Sequence, residues 1–366
     1  IVPSQLGGIN LQFEGRSPLS MPTQISTEAL LSMPTMTQMN KSSPLVSGLR
    51  VEAGSGWMLK HYNELVESAQ YVETPPFPRE VLVEVANVCN HACTFCAYSK
   101  MTRERGFIEE GTLLNIVKQA YELGAREVGL YAGAEPLTYK HLDGLIELCR
   151  KVGYERVYIT TNGSIGDEKR FRKLIDAGLD SIKFSINGGD RETYKKIHGR
   201  DHFERVIANI RFVSEYRKTL DRPFLLGASF VETNDNRHSL TTLKALLEPL
   251  VDDLLVTPAY NQNGQMPELP APVVMRAPCF MPFTRLNISR EGYVRLCCND
   301  YQNHLAVGDA TKYDLKTIWN GDRFREIRRR HLQNDIKGTL CSNCLSGCND
   351  PIKPLNPELS SLEQIK

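Results

Sequence analysis

Three closely spaced cysteines, Cys89, Cys93 and Cys96, are the residues whose type and spacing most clearly indicate chemistry. They lie in the stretch VCNHACTFCAYS, with three and then two residues between them, directly after an alternating apolar run that is typical of a strand. A closed structural zinc site needs four ligands and a redox pair needs two. Three thiolates suit an iron-sulfur cluster in which one iron stays open to another ligand.

Small and polar residues follow the next three predicted strands. They are Gly133, Glu135 and Pro136 after the second strand, Thr161 and Asn162 after the third, and Ser185 and Asn187 after the fourth. A turn of small residues lets a ligand approach the backbone, and a carboxylate there can accept hydrogen bonds from an ammonium group. The hydroxyl and amide groups are candidate partners for a ribose or a carboxylate.

Apolar patterns place these residues on alternating strands and helices. The predicted strands cover residues 81–86, 127–132, 156–160, 181–186, 224–231 and 253–257. The predicted helices between them cover residues 109–123, 139–152, 167–177, 203–220 and 239–250. Such alternation predicts a parallel sheet, because each helix supplies the crossover that a parallel pair requires. Periodicity alone leaves both an open doubly wound sheet and a barrel possible.

A second group of cysteines occupies the C-terminal part of the chain. Cys279 and Cys297 flank a stretch with hairpin character, and the later run CSNCLSGC contains Cys341, Cys344 and Cys348. Five thiolates in so short a region predict a second metal site. Two thiolates from a hairpin and two from a CxxC turn also build zinc ribbons, so both zinc and an iron-sulfur cluster fit this pattern.

Composition restricts the setting and the partners. The chain has 366 residues, ten cysteines and a formal net charge of +1. The cysteines are clustered with metal-ligand spacing and no long apolar segment precedes them, so we expect a reducing, cytoplasmic setting without a membrane span. The near-zero charge argues against a dedicated nucleic-acid-binding protein.

The first cysteine loop resembles the signature loop of the radical S-adenosylmethionine (SAM) enzymes, including the aromatic Phe95 before the last cysteine. YAGAEPL resembles the family's Gly-Gly-Glu-Pro turn, with Ala134 in place of the second glycine, and SINGGDRETYKKIHG resembles a further cofactor-binding segment. The resemblance implies a partial (β/α)6 TIM-like barrel, with SAM bound at the open iron of a 4Fe-4S cluster. The implied SAM-binding residues are Phe95, Gly133, Glu135, Pro136, Thr161, Asn162, Ser185 and Asn187.

Residues from about Pro278 to Cys348 resemble the SPASM/twitch extension of the same superfamily. The resemblance implies a small cysteine-rich domain that holds one auxiliary 4Fe-4S cluster. Its implied ligands are Cys279, Cys297, Cys341 and Cys344, with Cys348 as an alternative ligand. The chain is therefore expected to bind two 4Fe-4S clusters and SAM.

The remaining cysteine of this region, Cys298, follows Cys297 directly. Adjacent residues of a strand point to opposite faces, so Cys298 is expected to face away from the auxiliary cluster and towards the substrate. A thiol there could return a hydrogen atom to a substrate radical; the alternative is a free thiol that only packs in the core.

The expected domains are a disordered extension (residues 1–50), a helix with a Pro-rich lead-in (51–78), the barrel (79–275), the auxiliary cluster domain (276–350) and a tail (351–366). The expected function is hydrogen abstraction from a peptide or protein, with flavodoxin or ferredoxin as the electron donor. The alternatives are a dehydrogenase or epimerase acting on a small polar molecule of the aminosugar or aminocyclitol type, and a non-catalytic iron-sulfur carrier.

Overall fold

The computed structural model describes residues 50–270 and 278–360, whose strands form a single ten-stranded sheet. The strands are β1 Arg50–Gly54, β2 Glu80–Val83, β3 Glu127–Gly129, β4 Arg156–Thr161, β5 Ser181–Ser185, β6 Leu225–Glu232, β7 Asp253–Pro258, β8 Arg285–Ile288, β9 Tyr293–Arg295 and β10 Ala306–Asp309. Their order in the sheet is β1-β7-β6-β5-β4-β3-β2-β8-β9-β10.

The strands β2 to β7 run parallel to their neighbours and form the predicted partial (β/α)6 barrel. The helices up to β7 are α1 Trp57–Glu67, α2 Glu110–Glu122, α3 Leu142–Val152, α4 Glu168–Asp176, α5 Arg191–His198, α6 Phe203–Tyr216 and α7 Leu240–Leu247. Apolar residues on one face of each strand, such as Val157 and Ile159 of β4, are buried in a core shared with helix residues such as Ile146. This packing confirms the predicted six strands and their crossover helices.

Helix α1 packs against the amino-terminal end of the barrel. The backbone N–H groups of Gly56 and Met58 donate to the buried carboxylate of Asp253, the first residue of β7, at 2.6 and 2.8 Å. Gly227 of β6 makes room for α1, since a Cβ atom there would lie 2.9 Å from Met58 Sδ. The sequence of α1 therefore fits only where β6 and β7 provide these two contacts.

Buried charge fills the same end of the barrel. Glu80, the first residue of β2, accepts hydrogen bonds from the hydroxyl of Tyr158 and the guanidinium of Arg285. Burial by itself would raise the pKa of Glu80, but Arg285, His61 and Tyr158 outweigh it and lower that pKa to about 2. The carboxylate is therefore ionised and paired, as buried charges must be.

The cysteine-rich region continues the sheet of the barrel. Strand β8 pairs in parallel with β2, β9 pairs antiparallel with β8, and β10 pairs antiparallel with β9. The helices of this region are α8 Met281–Thr284, α9 Leu315–Trp319, α10 Asp322–Leu332 and α11 Leu340–Ser346. The predicted boundary between residues 275 and 276 lies outside the described residues.

The sequence patterns predict neither β1 nor α5. Strand β1 has only five residues and its pairing with β7 is irregular between Val51 and Ala53, so it lacks a regular alternation. Helix α5 is mostly polar, and it is defined by the Asp190 side chain, which caps its start, and by Gly199, which ends it at positive φ. Of the predicted disordered extension, residues 1–49 lie outside the described residues, whereas Arg50 begins β1.

Within residues 50–270 and 278–360, no helix combines the length and the apolar character needed to cross a bilayer.

A buried ion pair ties the segment after the cysteine loop to the end of β2. Both terminal nitrogens of Arg103 donate to the carboxylate of Glu84 at 2.8 to 2.9 Å, and both side chains are at most 3% exposed. Arg103 also donates to Glu291 at 2.7 Å and to the carbonyl of Tyr301 at 2.8 Å. One guanidinium therefore joins the loop, β2 and the C-terminal region.

We predict that Arg103→Met lowers the free energy of unfolding by about 3 to 5 kcal/mol, because Glu84 loses its closest charge partner in a buried place. Lys100→Met is the matched control: its pair with Glu268 is exposed and should change the free energy by under about 1 kcal/mol. Urea unfolding of the metal-free protein measures both. If both variants lost the same small amount of unfolding free energy, the ion pair of Arg103 with Glu84 would not be what stabilises this segment.

Candidate active site

The loop after β2 places Cys89, Cys93 and Cys96 next to the carboxyl-terminal ends of the parallel strands. The N–H of Cys89 donates to the hydroxyl of Tyr98 at 2.8 Å, and the N–H of Cys96 donates to the carbonyl of Cys93 at 3.1 Å. A short 3₁₀ helix, Ala97–Lys100, follows, and the N–H of Ala97 donates to Gln262 Oε1 at 2.9 Å. The loop is therefore fixed by its own turns and by the segment after β7.

Burial keeps the three thiols of this loop in the protonated form. It raises the pKa of Cys89 to about 12 and also raises the pKa of Cys93 and Cys96. A buried set of sulfur donors becomes a set of thiolates when metal ions supply the compensating positive charge. These residues thus fit a metal cluster.

The spacing of the sulfur atoms distinguishes a cluster from a single zinc ion. A tetrahedral zinc ion with sulfur ligands at about 2.3 Å brings those sulfurs to about 3.8 Å from one another. In the described part of the chain, no three cysteine sulfurs lie within 4.8 Å of each other. Both cysteine groups are therefore more open than a closed zinc site.

The turn after β3 lies against the cysteine loop and holds a buried carboxyl group. The N–H of Glu135 donates to the carbonyl of Val88 at 3.1 Å. Its carboxyl group accepts from the hydroxyl of Thr161 at 2.6 Å and from the N–H groups of Asn162 and Leu137 at 2.7 and 3.0 Å. Burial outweighs these hydrogen bonds and raises the pKa of Glu135 to about 7.

Asn162 connects the end of β4 to the cysteine loop. Its amide nitrogen donates to Asn90 Oδ1 at 2.9 Å and lies 4.0 Å from Cys89 Sγ, while its oxygen accepts from Ser164. Two predicted SAM-binding residues, Thr161 and Asn162, are thereby brought together with Glu135 beside the three cysteines.

The other predicted SAM-binding residues have varied surroundings. Gly133 lies against the ring of Tyr301, to which a Cβ atom would come within 2.8 Å, and Phe95 is buried. Ser185 ends β5 beside Ser229. Asn187 Oδ1 accepts from the N–H of Val231 at 2.6 Å, so this oxygen already has a partner in the protein, and a ribose contact there stays a prediction.

The predicted auxiliary ligands come from three elements. Cys279 precedes α8, Cys297 follows β9, and Cys341 and Cys344 lie on α11. Burial is the main cause that raises the pKa of Cys341, and the charges of Cys279 and Cys344 raise it further. All four cysteines lie in the C-terminal region, and their role as ligands of one cluster stays a prediction.

The strand alternation predicted for Cys298 is wrong. Strand β9 ends at Arg295, so Cys297 and Cys298 do not alternate as strand residues. Both sulfurs contact Asn299, whose N–H donates to Cys297 Sγ at 3.4 Å and whose Oδ1 lies 3.9 Å from Cys298 Sγ. The adjacent Cys297 sulfur, followed by the charges of Arg285 and Arg295, lowers the pKa of Cys298.

Cys348 lies within a polar network. Its thiol donates to Asn343 Oδ1 at 3.0 Å, and Ser346 Oγ lies 3.2 Å from the sulfur. Its role as an alternative ligand stays a prediction.

Three further groups at the cysteine loop were not predicted from the sequence. Tyr301 Oη lies 3.5 Å from Cys96 Sγ, Gln262 holds the N–H of Ala97, and His198 Nδ1 lies 3.4 Å from Cys93 Sγ. Burial lowers the pKa of His198 and of the adjacent His91, the latter to about 4, so both are neutral. His91 lies within the cysteine motif and His198 lies within SINGGDRETYKKIHG, so both motifs contained a residue of this side of the loop.

Comparison with known families agrees with this geometry. The sequence model of the Radical SAM superfamily matches residues 83–228. The model of SPASM, an iron-sulfur cluster-binding domain, matches residues 279–345.

Two curated relatives align with part of the chain. An uncharacterized protein of Methanocaldococcus jannaschii is 32% identical over 189 residues, which are 50% of this chain and 59% of that protein. A probable GTP 3′,8-cyclase of Saccharolobus islandicus is 33% identical over 132 residues, which are 36% of this chain and 42% of that protein. The chain thus spans about half of the length of the curated relatives it matches.

Three solved structures share the fold. Streptococcus suis SuiB bound to precursor peptide SuiA has a TM-score of 0.59 at 17% identity, covering 82% of this chain and 76% of that one. Native anSMEcpe with bound AdoMet has a TM-score of 0.55 at 14% identity, covering 76% and 94%. BtrN in complex with AdoMet and 2-DOIA has a TM-score of 0.51 at 18% identity, covering 75% and 93%. At these identities the likeness establishes the fold.

We predict that Glu135 makes the metal-free protein less stable as the pH rises from about 4.5 to 7. In this range the carboxyl group ionises in the unfolded protein but keeps its proton in the folded protein. Ionisation therefore stabilises the unfolded state alone, and the free energy of unfolding falls. The free energy of unfolding, relative to that of Glu135→Gln, should fall by up to about 3 kcal/mol, at about 1.36 kcal/mol per unit of pKa.

Glu109→Gln is the control for this experiment. Backbone N–H groups at the start of α2 lower the pKa of Glu109, so its contribution should instead be lost as the pH falls. Urea unfolding at several pH values measures both variants. A constant difference between wild type and Glu135→Gln from pH 4 to 8 would contradict the raised pKa.

Proposed function

The chain belongs to the radical SAM superfamily and carries a C-terminal SPASM domain, and from this premise we propose that it is an enzyme that removes a hydrogen atom from a peptide or protein substrate. The observation that carries the proposal is the contact between the cysteine loop and the Glu135 turn. A loop that only held a metal cluster would not need a buried carboxyl group fixed by three donors beside it.

In this proposal different residues of the chain bind the first cluster and SAM. Cys89, Cys93 and Cys96 hold the first 4Fe-4S cluster, and Glu135, with its turn, accepts the ammonium group of SAM. A reduced cluster held there would supply one electron to break a carbon–sulfur bond of SAM, giving methionine and a 5′-deoxyadenosyl radical that would take a hydrogen atom from the substrate. Thr161 and Asn162 orient the carboxyl group through the hydrogen bonds that it accepts.

The auxiliary cluster is assigned to Cys279, Cys297, Cys341 and Cys344. The match of the SPASM model, an iron-sulfur cluster-binding domain, to residues 279–345 supports a 4Fe-4S cluster over zinc at this site. The cluster would relay an electron from the substrate or help to position it. A flavodoxin or ferredoxin would supply the electron for the first cluster.

A peptide substrate is favoured because two proteins with the same fold have been solved with peptides. These are SuiB with precursor peptide SuiA and anSMEcpe with Cp18Cys peptide. The alternative is a dehydrogenase or epimerase that acts on an aminosugar-like molecule, since BtrN has the same fold and was solved with 2-DOIA. A non-catalytic iron-sulfur carrier is disfavoured, since it would have no use for the Glu135 turn.

We predict that the Cys89→Ala, Cys93→Ala, Cys96→Ala triple variant releases no 5′-deoxyadenosine from SAM after reconstitution and reduction with dithionite. Its iron content should fall from about eight to about four per chain, because one of two four-iron clusters is lost. Cys149→Ala is the control, because Cys149 is buried in α3 away from both groups. Liquid chromatography and iron analysis measure these quantities.

Undiminished 5′-deoxyadenosine release from the triple variant would end the proposal. About four irons with one zinc per chain in the wild type would show that the C-terminal site is a zinc ribbon.

We further propose that Cys298 donates a hydrogen atom to the substrate radical. We predict that turnover in deuterium oxide places deuterium on the substrate carbon, because a thiol exchanges its hydrogen with solvent, and that Cys298→Ala loses this label. Mass spectrometry of the product measures the label. An unlabelled wild-type product, or full formation of the labelled product by Cys298→Ala, would exclude this role.

A further inference from the structure

Three histidines form a continuous line from the surface of the barrel to Cys93. His202, just before α6, is partly exposed, whereas His91 and His198 are 4% and 1% exposed. His202 Nδ1 lies 3.1 Å from His91 Nε2, and His91 Nδ1 lies 3.2 Å from His198 Nδ1. His198 Nδ1 in turn lies 3.4 Å from Cys93 Sγ.

The position of the proton on His198 follows from its other neighbour. The backbone N–H of Asn187 donates to His198 Nε2 at 3.1 Å. A ring nitrogen that accepts a hydrogen bond carries no proton, so the neutral imidazole is protonated at Nδ1. Its one N–H group is therefore shared between two acceptors, the Nδ1 atom of His91 at 3.2 Å and the sulfur of Cys93 at 3.4 Å.

The position of the proton on His91 follows in the same way. His91 Nδ1 faces a protonated nitrogen and must accept, so His91 carries its proton on Nε2 and donates to His202 Nδ1. The single Nδ1–H of His198 thus lies between the His91 nitrogen and the Cys93 sulfur, and a thiolate is the stronger acceptor of the two because it carries a full negative charge.

The surroundings hold the His198 ring in this orientation. The ring of Tyr194 stacks on it with the centroids 4.0 Å apart. The carbonyls of His198 and Ile197 accept from the N–H groups of Ala92 and Thr94 in the cysteine loop, at 3.2 and 3.0 Å. The end of α5 and the cysteine loop therefore form one unit, in which the imidazole and the sulfur keep their relative positions.

These contacts also argue against a single metal ion held by His91, Cys93 and His198, although their ligand atoms lie within 4.8 Å of one another. Coordination through Nδ1 would force the proton of His198 onto Nε2. That proton would then face the N–H of Asn187, and two donors would oppose each other at 3.1 Å.

We propose that His198 is a positioning residue that donates a hydrogen bond to the Cys93 thiolate and thereby raises the reduction potential of the cluster on Cys89, Cys93 and Cys96. The inference rests on the proposed function, which places a cluster there. A donor at a ligand sulfur stabilises negative charge, and the reduced cluster carries one negative charge more than the oxidised one. Reduction therefore becomes easier.

The test compares His198→Phe with His198→Asn in the reconstituted full chain. Phe keeps the stacking on Tyr194 but has no donor, while the Asn amide nitrogen can take the place of Nδ1–H. A redox titration follows the electron paramagnetic resonance signal that changes when SAM is added, which belongs to the first cluster. His304→Phe, a buried histidine in the C-terminal region, is the control.

We expect His198→Phe to shift the potential to more negative values, with His198→Asn and His304→Phe close to wild type. An unchanged potential in an iron-replete His198→Phe protein would overturn the inference, as would equal shifts in both His198 variants. A wild type without any SAM-responsive signal would instead remove the proposed function and the inference with it.

A measurement on the wild type keeps the inference testable if His198→Phe does not fold. With ¹⁵N-labelled histidine, the reduced first cluster should show a weak hyperfine coupling to nitrogen, as expected for a hydrogen bond. No coupling, or the strong coupling of a directly ligated nitrogen, would overturn the inference.

Discussion

The rest of the candidate site has to stabilise negative charge on three buried sulfur atoms. Thiolates crowded into one loop repel each other, and burial alone drives Cys89, Cys93 and Cys96 towards the neutral thiol. The site therefore needs positive charge from metal ions and donors that face the sulfurs. The hydroxyl of Tyr301 and the imidazole of His198 are such groups, and each comes from a different part of the chain.

Parallel strands make this convergence possible. The carboxyl-terminal ends of β2, β3, β4 and β5 lie side by side, so the cysteine loop, the Glu135 turn, Asn162 and the end of α5 meet without long connections. The opposite end of the barrel is closed by α1 and by the paired charge of Glu80. The cysteine-rich region joins the sheet through β8 and contributes Tyr301, so the two groups of cysteines belong to one continuous structure.

The features that the sequence predicts are those with a local signal. Six strands and five helices follow from apolar periodicity, and the cysteine loop and the Glu135 turn follow from short motifs. The contacts of Tyr301 and Gln262 could not be predicted, because they join residues 205 and 165 positions apart and neither residue belongs to a motif. His198 lies within a quoted motif, but its contact with Cys93 joins residues 105 positions apart and has no local signal. The strand alternation predicted for Cys297 and Cys298 failed because β9 ends two residues before Cys297.

The most direct test of the central claim is hyperfine spectroscopy of the reduced protein with SAM labelled by ¹⁵N at its amino group. If Cys89, Cys93 and Cys96 hold a 4Fe-4S cluster with an open iron, the labelled nitrogen binds that iron and a ¹⁵N coupling appears in the cluster signal. The coupling should be absent from the variant with all three cysteines replaced by alanine. A reduced wild-type cluster that shows no ¹⁵N coupling at saturating SAM would contradict the account.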